Sequence, residues 1–308
     1  MSRKAWICLV LSLLLLVLPL VTYANNAQFL YNNNDPYASQ PVADGNGLVN
    51  WETDSVEAIG FGVPPANAFS SAQARNMARR AAIADAQRNL LESVQGVQVD
   101  SETTVENLAV SSDVINTRMS GMLKGYKIVN EQQMPDGSYQ VVISVRMYGQ
   151  NSLANAISGQ RQPQRPFPPA VQPYPQQQPN QPHQGYQPTQ PAVRQYTGLV
   201  IDARRLGLER TMTPMIYDET GKVIYGNMYV DQNYVVQNGL VDYAASPGAI
   251  ELIGMGQSRA GADYIEVKAI KLRDRNRNIV ISAADGDRIL NANGPTGFLL
   301  KCNVVIKH

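Results

Sequence analysis

The chain is poor in histidine and cysteine, the two side chains on which much enzymatic and metal chemistry depends. Its 308 residues include two histidines and two cysteines. His183 lies in a tract rich in Gln and Pro, and His308 is the last residue, so neither position predicts a firmly held imidazole. Ser-His-Asp and Cys-His systems need a positioned imidazole, and a zinc site of Cys and His ligands needs several of them. The sequence therefore predicts a non-enzymatic protein with no catalytic residue, no metal and no cofactor.

Net charge is nearly absent as well. Lys and Arg number 26 against 25 Asp and Glu, which leaves a formal charge of +1. This balance excludes attraction to nucleic acid by bulk charge. A hydrophobic content of 44% and a length of 308 residues are sufficient for two folded domains.

The N-terminus has the pattern of a secretory signal peptide. Arg3 and Lys4 precede an apolar run over residues 5–21, and small residues then predict cleavage between Ala24 and Asn25. An uncleaved membrane anchor is the alternative, but the short run and Pro19 near its end favour removal. We therefore expect an exported protein without an integral membrane segment.

Signal removal leaves one cysteine in the mature chain. Cys8 lies within the apolar run, so Cys302 alone remains and no intramolecular disulfide forms. The apolar neighbours of Cys302, in FLLKCNVVI, predict a buried thiol. The alternative is an intermolecular disulfide, which requires Cys302 to be exposed.

Composition divides the mature chain into four parts. We expect a flexible leader over residues 25–50, a first domain over 51–158, a linker over 159–196 and a second domain over 197–308. The linker contains 10 of the 19 prolines and 12 glutamines in its 38 residues, so it predicts a disordered, extended spacer. The alternatives are a docking tract for a partner and a segment that threads the peptidoglycan.

The first domain predicts an α+β fold with two helices on one face of a small sheet. Residues 56–62 are expected to form a strand, and Ser70 or Ser71 caps a helix that runs to about Val94. Apolar and polar residues alternate over 97–106, which predicts a half-buried strand. A second helix begins at one of residues 111–113, and residues 126–131 and 139–148 predict a hairpin. The outer face of the alternating strand is the candidate interaction surface: Gln98, Asp100, Glu102, Thr104 and Glu106.

The second domain predicts a mixed or mainly β sheet with short helices. Strands are expected over residues 199–203, 215–217, 223–225, 264–272, 278–282 and 298–306. Ser282, with Asp285 three residues later, predicts a capped helix that ends near Leu290.

Two patterns suggest chemistry, and each has a structural alternative. Gly60-Phe61-Gly62 lies between a strand and a helix, but a phosphate-binding turn needs a third glycine, which is missing. Asp202, Asp285 and Asp287 would have to converge in a cleft to support hydrolysis. We interpret Asp285 as a helix cap and Asp202 as a turn residue.

Tyrosine is the abundant aromatic, with 15 residues against 5 Phe and 2 Trp. Its amphipathic ring suits partner or glycan surfaces, although half-buried strand positions with their hydroxyls in water are the simpler explanation. The candidate aromatic patch falls within 27 residues of the second domain and consists of Tyr217, Tyr225, Tyr229, Tyr234 and Tyr243.

Four segments of the first domain resemble a known family. They are residues 78–91 (ARRAAIADAQRNLL), 97–106 (VQVDSETTVE), 125–129 (GYKIV) and 135–145 (PDGSYQVVISV). This pattern resembles the LPP-twenty lipoprotein family and the N-terminal domain of flagellar assembly protein T. The chain departs from the lipoprotein members because no cysteine for lipidation follows its apolar run. The second half, from YTGLVIDARRLGL to IVISAADGDRIL, is similar to the C-terminal parts of uncharacterised proteins of the same broad group.

The resemblance implies a location in the periplasm or at the outer-membrane periphery of a two-membrane bacterium. The expected role is that of a structural or assembly component, which pairs with itself or with other envelope proteins. Some members of the group form rings at the flagellar basal body, so that partner is one option. A peptidoglycan- or glycan-binding module is the alternative, and a C-terminal hydrolase is a third hypothesis.

Overall fold

A computed structural model describes residues 39–41, 46–159, 164–169 and 195–308. The chain separates into two compact units, residues 1–160 and residues 161–308. The predicted signal peptide with its cleavage site, and most of the predicted linker, lie outside the described residues. Both units combine helices with sheets, as the predicted α+β class requires.

The first unit is built on a five-stranded antiparallel sheet. Its strands are β1 (Ser39–Pro41), β2 (Gly47–Asn50), β3 (Ser55–Gly62), β4 (Lys127–Gln133) and β5 (Tyr139–Arg146), in the order β1-β2-β3-β5-β4. The predicted leader was wrong at its C-terminal end, because β1 and β2 lie within it. All four residues of β2 are buried, and Leu48 joins Ile59 and Val142 in the core.

One long helix, α1 (Ser71–Gln95), covers β3 and β5. It begins as predicted, because the hydroxyl of Ser70 accepts a hydrogen bond from the backbone amide of Gln73 at 3.2 Å. Small residues on its buried face, Ala78, Ala82 and Ala86, let it approach the sheet closely. Gly60 completes this fit, because a Cβ atom there would lie 2.1 Å from the backbone nitrogen of Ala86.

Gly60 and Gly62 therefore serve helix packing. Both lie inside β3, and a Cβ atom on Gly62 would meet the carbonyl oxygen of Ala78 at 2.0 Å. A phosphate-binding turn would need a free loop ahead of a helix N-terminus, and these residues form a strand under the middle of a helix. The missing third glycine in the sequence agrees with this arrangement.

Three shorter helices lie in the described part of the first unit: α2 (Val105–Ser111), α3 (Asp113–Leu123) and α4 (Leu153–Ile157). The predicted second helix corresponds to α3, and Ser112 caps it through the amide of Ile115. Ile115, Met119 and Met122 are buried, and the short helices pack on one another and on α1.

The second unit contains two four-stranded sheets. The first has the order β10-β6-β13-β9 and is entirely parallel, with β6 (Gly198–Asp202), β9 (Asp242–Ala244), β10 (Tyr264–Lys268) and β13 (Val304–Lys307). The second has the order β11-β12-β7-β8, with β7 (Ile216–Asp218), β8 (Val223–Tyr225), β11 (Lys271–Arg273) and β12 (Asn278–Ile281). The strands predicted over residues 215–217 and 223–225 correspond to β7 and β8, which pair antiparallel as a hairpin.

Three α-helices lie within residues 195–308 of the second unit: α5 (Gln232–Asn238), α6 (Pro247–Gly254) and α7 (Ala283–Thr296). The cap predicted at Ser282 is confirmed, since its hydroxyl accepts from the amide of Asp285 at 3.1 Å. The helix runs past the predicted end at Leu290, and Gly297 closes it in a left-handed conformation. The predicted last strand was therefore wrong over residues 298–303, which turn before β13 begins.

Candidate interaction surfaces

The segment predicted as an alternating strand, residues 97–106, is a turn that leads into a helix. The side chain of Asp100 accepts hydrogen bonds from the amides of Glu102 and Thr103, both at 2.8 Å, and this reverses the chain. Gln98 and Thr104 then face each other in a single antiparallel bridge. Thr104 caps α2 through the amide of Asn107.

The prediction that these five residues lie on one face of a strand was therefore wrong. Gln98, Asp100, Glu102 and Thr104 occupy the turn, and Glu106 lies in the first turn of α2. The apparent period of two arose because a turn and a helix start both use short polar residues between apolar ones. A role of these five residues in partner contact stays a prediction.

Strand β4 presents a surface that the sequence reasoning did not single out. It forms one edge of the sheet and pairs with β5 alone among the described strands. Six of its seven residues are exposed, so both of its faces are open to solvent. Ile128 and Val129 are 38% and 51% exposed, and the register shifts beside them. A period-two apolar pattern was missing here because neither face of β4 is covered.

Charged residues partly restrict the pairing of β4 with a further strand. Glu131 of β4 forms an ion pair with Arg79 of α1 at 2.8 Å, and this hydrogen bond raises the pKa of the guanidinium. Lys127 begins the strand and is exposed. Charged residues and a bulge are common means of keeping an edge strand from indiscriminate pairing. The apolar residues at 128 and 129 nevertheless remain open.

Two of the five predicted patch tyrosines belong to the core. The hydroxyl of Tyr225 donates to the carbonyl of Leu240 at 2.8 Å, and that of Tyr243 donates to the carbonyl of Thr211 at 2.9 Å. Burial raises the pKa of both phenols. The prediction that all five form one exposed patch was wrong, because the hydroxyls of these two find partners inside the domain.

The other three tyrosines differ from one another. The guanidinium of Arg273 lies over the ring of Tyr217, with its Cζ atom 4.2 Å from the ring centroid. Tyr234, in α5, is 40% exposed. Tyr229 is half-buried, and part of its cover comes from the predicted linker.

Residues 164–169 of the predicted disordered linker contact the second domain. The amide of Arg165 donates to the carbonyl of Met228 at 2.8 Å, and the side-chain amide of Gln164 donates to the carbonyl of Tyr229 at 2.8 Å. The ring of Phe167 lies on that of Tyr229, with centroids 4.8 Å apart and planes inclined at 34°. The prediction of disorder was therefore wrong for this segment, because aromatic and amide side chains among the prolines gave it groups that can dock.

The aspartates considered for hydrolysis are each held by a different partner. Asp202, at the end of β6, pairs with Arg204 at 2.6 Å, and this interaction lowers the pKa of Asp202 to about 2. Asp285 accepts from the hydroxyl of Ser282 at 2.8 Å. Asp287 pairs with the ammonium of Lys222 at 2.8 Å. The lowered pKa of Asp202 is the opposite of what a general acid needs at neutral pH.

His308 is positioned more firmly than the sequence indicated. Its Nε2 atom lies 2.6 Å from the carbonyl oxygen of Leu208, and its Nδ1 atom lies 3.0 Å from a guanidinium nitrogen of Arg210. Burial lowers the pKa of the imidazole. Both ring nitrogens are engaged, so the ring acts as a structural link between β13 and the loop after β6. His183 lies outside the described residues.

Cys302 is buried, as predicted, and burial raises the pKa of its thiol. Its carbonyl accepts from the guanidinium of Arg259 at 3.3 Å. The same guanidinium donates to the carbonyl of Gly239 at 3.2 Å and pairs with Asp242 at 2.7 Å. Burial of Cys302 argues against the alternative of an intermolecular disulfide. Arg259 thereby ties three loops of the second domain together.

Comparisons with known proteins match two separate ranges of the chain to two different family models. Residues 63–146 match the model of the LPP20 lipoprotein family, which confirms the resemblance seen in the first domain. Residues 198–307 match the model described as Treponema pallidum Tp0624, second domain. A search of curated proteins finds no match. The first domain is therefore similar to a family of lipoproteins, and the second to one domain of a spirochaete protein.

The described residues contain neither a membrane-spanning helix nor a metal-binding cluster. None of the helices in the described ranges is long and apolar enough to cross a membrane. Within the same ranges, no cluster of three or more His, Cys, Asp or Glu side chains is arranged to hold a metal ion.

Proposed function

We propose that this chain is an exported, non-enzymatic component of the bacterial cell envelope that acts through protein–protein contacts. The similarity of residues 63–146 to the LPP20 lipoprotein family supports the envelope location. The signal-peptide pattern at residues 1–24 supports export. The periplasm or the outer-membrane periphery is the proposed compartment.

The observation that carries the proposal is the open edge strand β4. A strand whose outer edge is unpaired offers backbone donors and acceptors to an incoming strand. Ile128 and Val129 add apolar surface beside that edge, and six of the seven residues of the strand stay exposed among the described parts of the chain. A second copy of the domain or another envelope protein can add a strand there, which is a simple route to an extended assembly.

Site-specific photo-crosslinking in cells tests the proposal. Val129 is replaced by a photo-crosslinking amino acid, and Val110 on α2 serves as the matched control. Val110 is 83% exposed against 51% for Val129, so random collisions favour the control position. We expect discrete adducts from position 129 at several times the yield from position 110. Equal yields, or adducts from position 110 alone, would remove β4 as the contact surface.

Two narrower roles belong to the same proposal. Association with the flagellar basal body rests on the resemblance of the first domain, and co-purification with hook–basal bodies tests it. Glycan or peptidoglycan binding has weaker support, because Tyr225 and Tyr243 are core residues and Tyr229 is partly covered. Retention of the chain on insoluble cell wall tests that alternative.

A further inference from the structure

The contact between residues 164–169 and the second domain has the features of a peptide bound to a site. Three interactions of different kinds converge on two consecutive residues, Met228 and Tyr229: a backbone hydrogen bond, a side-chain hydrogen bond and a ring contact. Burial raises the pKa of Tyr229, and the nearby charge of Arg165 opposes this rise. The phenol is therefore partly withdrawn from water at the place where the segment docks.

The receiving surface is held in shape by the second domain itself. Met228 and Tyr229 lie in a single turn of 3-10 helix, Asn227–Tyr229. The side-chain amide of Gln232 donates to both the backbone and the side-chain oxygen of Asn227, at 3.1 and 2.7 Å. The turn thus presents two carbonyl oxygens and a tyrosine ring in a fixed arrangement, which is what an extended peptide requires.

The docking segment is organised in advance as a ligand. Its sequence is Gln-Arg-Pro-Phe-Pro-Pro, in which Pro166, Pro168 and Pro169 have restricted φ angles. Arg165 and Phe167 each precede a proline, which favours extended backbone at both positions. Such a segment loses little conformational entropy on binding. The backbone amide of Arg165 donates to the carbonyl of Met228 at 2.8 Å.

We propose that the Met228–Tyr229 surface is a docking site for a proline-flanked aromatic segment, and that residues 164–169 of one copy of this chain occupy the site of a second copy. Every copy carries both the segment and the site, so the contacts seen within one chain are equally available between chains. Three contacts of the described residues hold the segment, and we expect it to exchange between sites. Exchange prevails when the local concentration of chains exceeds the effective concentration set by the tether, which is of millimolar order for flexible connections.

Exchange at such concentrations rests on the self-assembly proposed above, whereas docking itself does not. The site uses none of the residues of β4, so the two contacts can be tested separately. Residues 164–169 also lie outside the range that matches a family model, while Tyr229 lies inside it.

Disulfide trapping in the full mature chain tests the proposal. Arg165→Cys and Met228→Cys are made in separate chains, which leaves the ring pair and the backbone donor and acceptor intact. Cys302 is buried and does not compete for the oxidant. The matched control is Met255→Cys, a methionine of the same domain that is 57% exposed. A chain that carries both R165C and M228C measures docking within one molecule.

We expect the double variant to form an intrachain disulfide. Mixed single variants at millimolar concentration should form R165C–M228C dimers at about ten times the yield of R165C–M255C dimers. Phe167→Ala on the R165C chain should remove most of this excess, because the ring contact is lost. Equal dimer yields with M228C and M255C would overturn exchange between copies. Failure of the intrachain disulfide would overturn the site itself, and trapping of M228C in cells by a different protein would overturn the second copy as occupant.

Discussion

Replacement of Gly60 by alanine tests how closely helix α1 approaches the sheet. The added Cβ atom would lie 2.1 Å from the nitrogen of Ala86, 2.2 Å from the oxygen of Ala82 and 2.6 Å from the Cα of Ala86. All three are backbone atoms, so no side chain can rotate away. Ordinary contacts need about 3.4 Å or more, and the helix must therefore move by roughly 1 Å.

The loss of stability in G60A depends on the size of the helix that must move. Helix α1 has 25 residues, of which seven are buried against the rest of the domain. Overpacking of a core costs about 1–3 kcal/mol, and a clash with backbone belongs at the upper end of that range. With a urea m-value of roughly 1.5–2 kcal/mol/M, a loss of about 3 kcal/mol lowers the unfolding midpoint by about 1.5–2 M.

The assay is urea unfolding followed by tryptophan fluorescence. Of the two tryptophans, Trp6 lies in the predicted signal peptide and Trp51 is buried in the first domain. The matched control is Gly121→Ala in the exposed part of α3, where the added Cβ atom meets nothing within 4 Å. That change should stabilise the domain by about 0.5–1 kcal/mol. A midpoint for G60A equal to that of the wild type would refute the close approach.

Two further predictions concern the second domain. Arg259→Ala should destabilise it by about 2–4 kcal/mol, with Arg259→Lys recovering less than half, because Asp242 and two loop carbonyls lose a forked donor. Far-UV circular dichroism measures this loss, and the fluorescence transition of Trp51 should stay unchanged. Asp202→Asn should lower stability by about 1 kcal/mol at pH 6, after allowance for the exposure of Arg204. The folded pKa of Asp202 is about 2, below its ordinary 3.8, so its contribution is complete above about pH 4 and is lost as the pH falls through 2. The unfolding curves of the wild type and of D202N should therefore converge near pH 2.

Local patterns in the sequence were sufficient where one physical signal dominated. Ser70 and Ser282 cap helices as predicted, because a hydroxyl before an apolar period has few other uses. The strands expected over residues 215–217 and 223–225 form as β7 and β8 and pair antiparallel. The close approach of α1 to the sheet depends on alanines of the helix and on Gly60 and Gly62 of β3, and these two glycines were first considered as part of a turn.

The candidate surfaces were harder to predict, because burial depends on distant residues. Alternation over residues 97–106 satisfied a strand pattern, yet the carboxylate of Asp100 closes a turn there and Thr104 starts a helix. Tyr225 and Tyr243 are buried because Leu240 and Thr211 offer carbonyl oxygens from elsewhere in the chain. Phe167 docks on a turn more than 60 residues away in sequence, which no local pattern reveals.

The position of β13 in the parallel sheet constrains when the second domain can fold. β13 is the last of the four strands in sequence, yet it lies between β6 and β9 and pairs with both. The sheet therefore has a gap at its middle until residues 304–307 leave the ribosome, about a hundred residues after β6. Pairings between distant segments form late, and a domain of this kind stays open during synthesis. A chain that crosses a membrane through a narrow channel must be unfolded when it enters. The delay favours this, because the chain reaches the channel before its parallel sheet is complete.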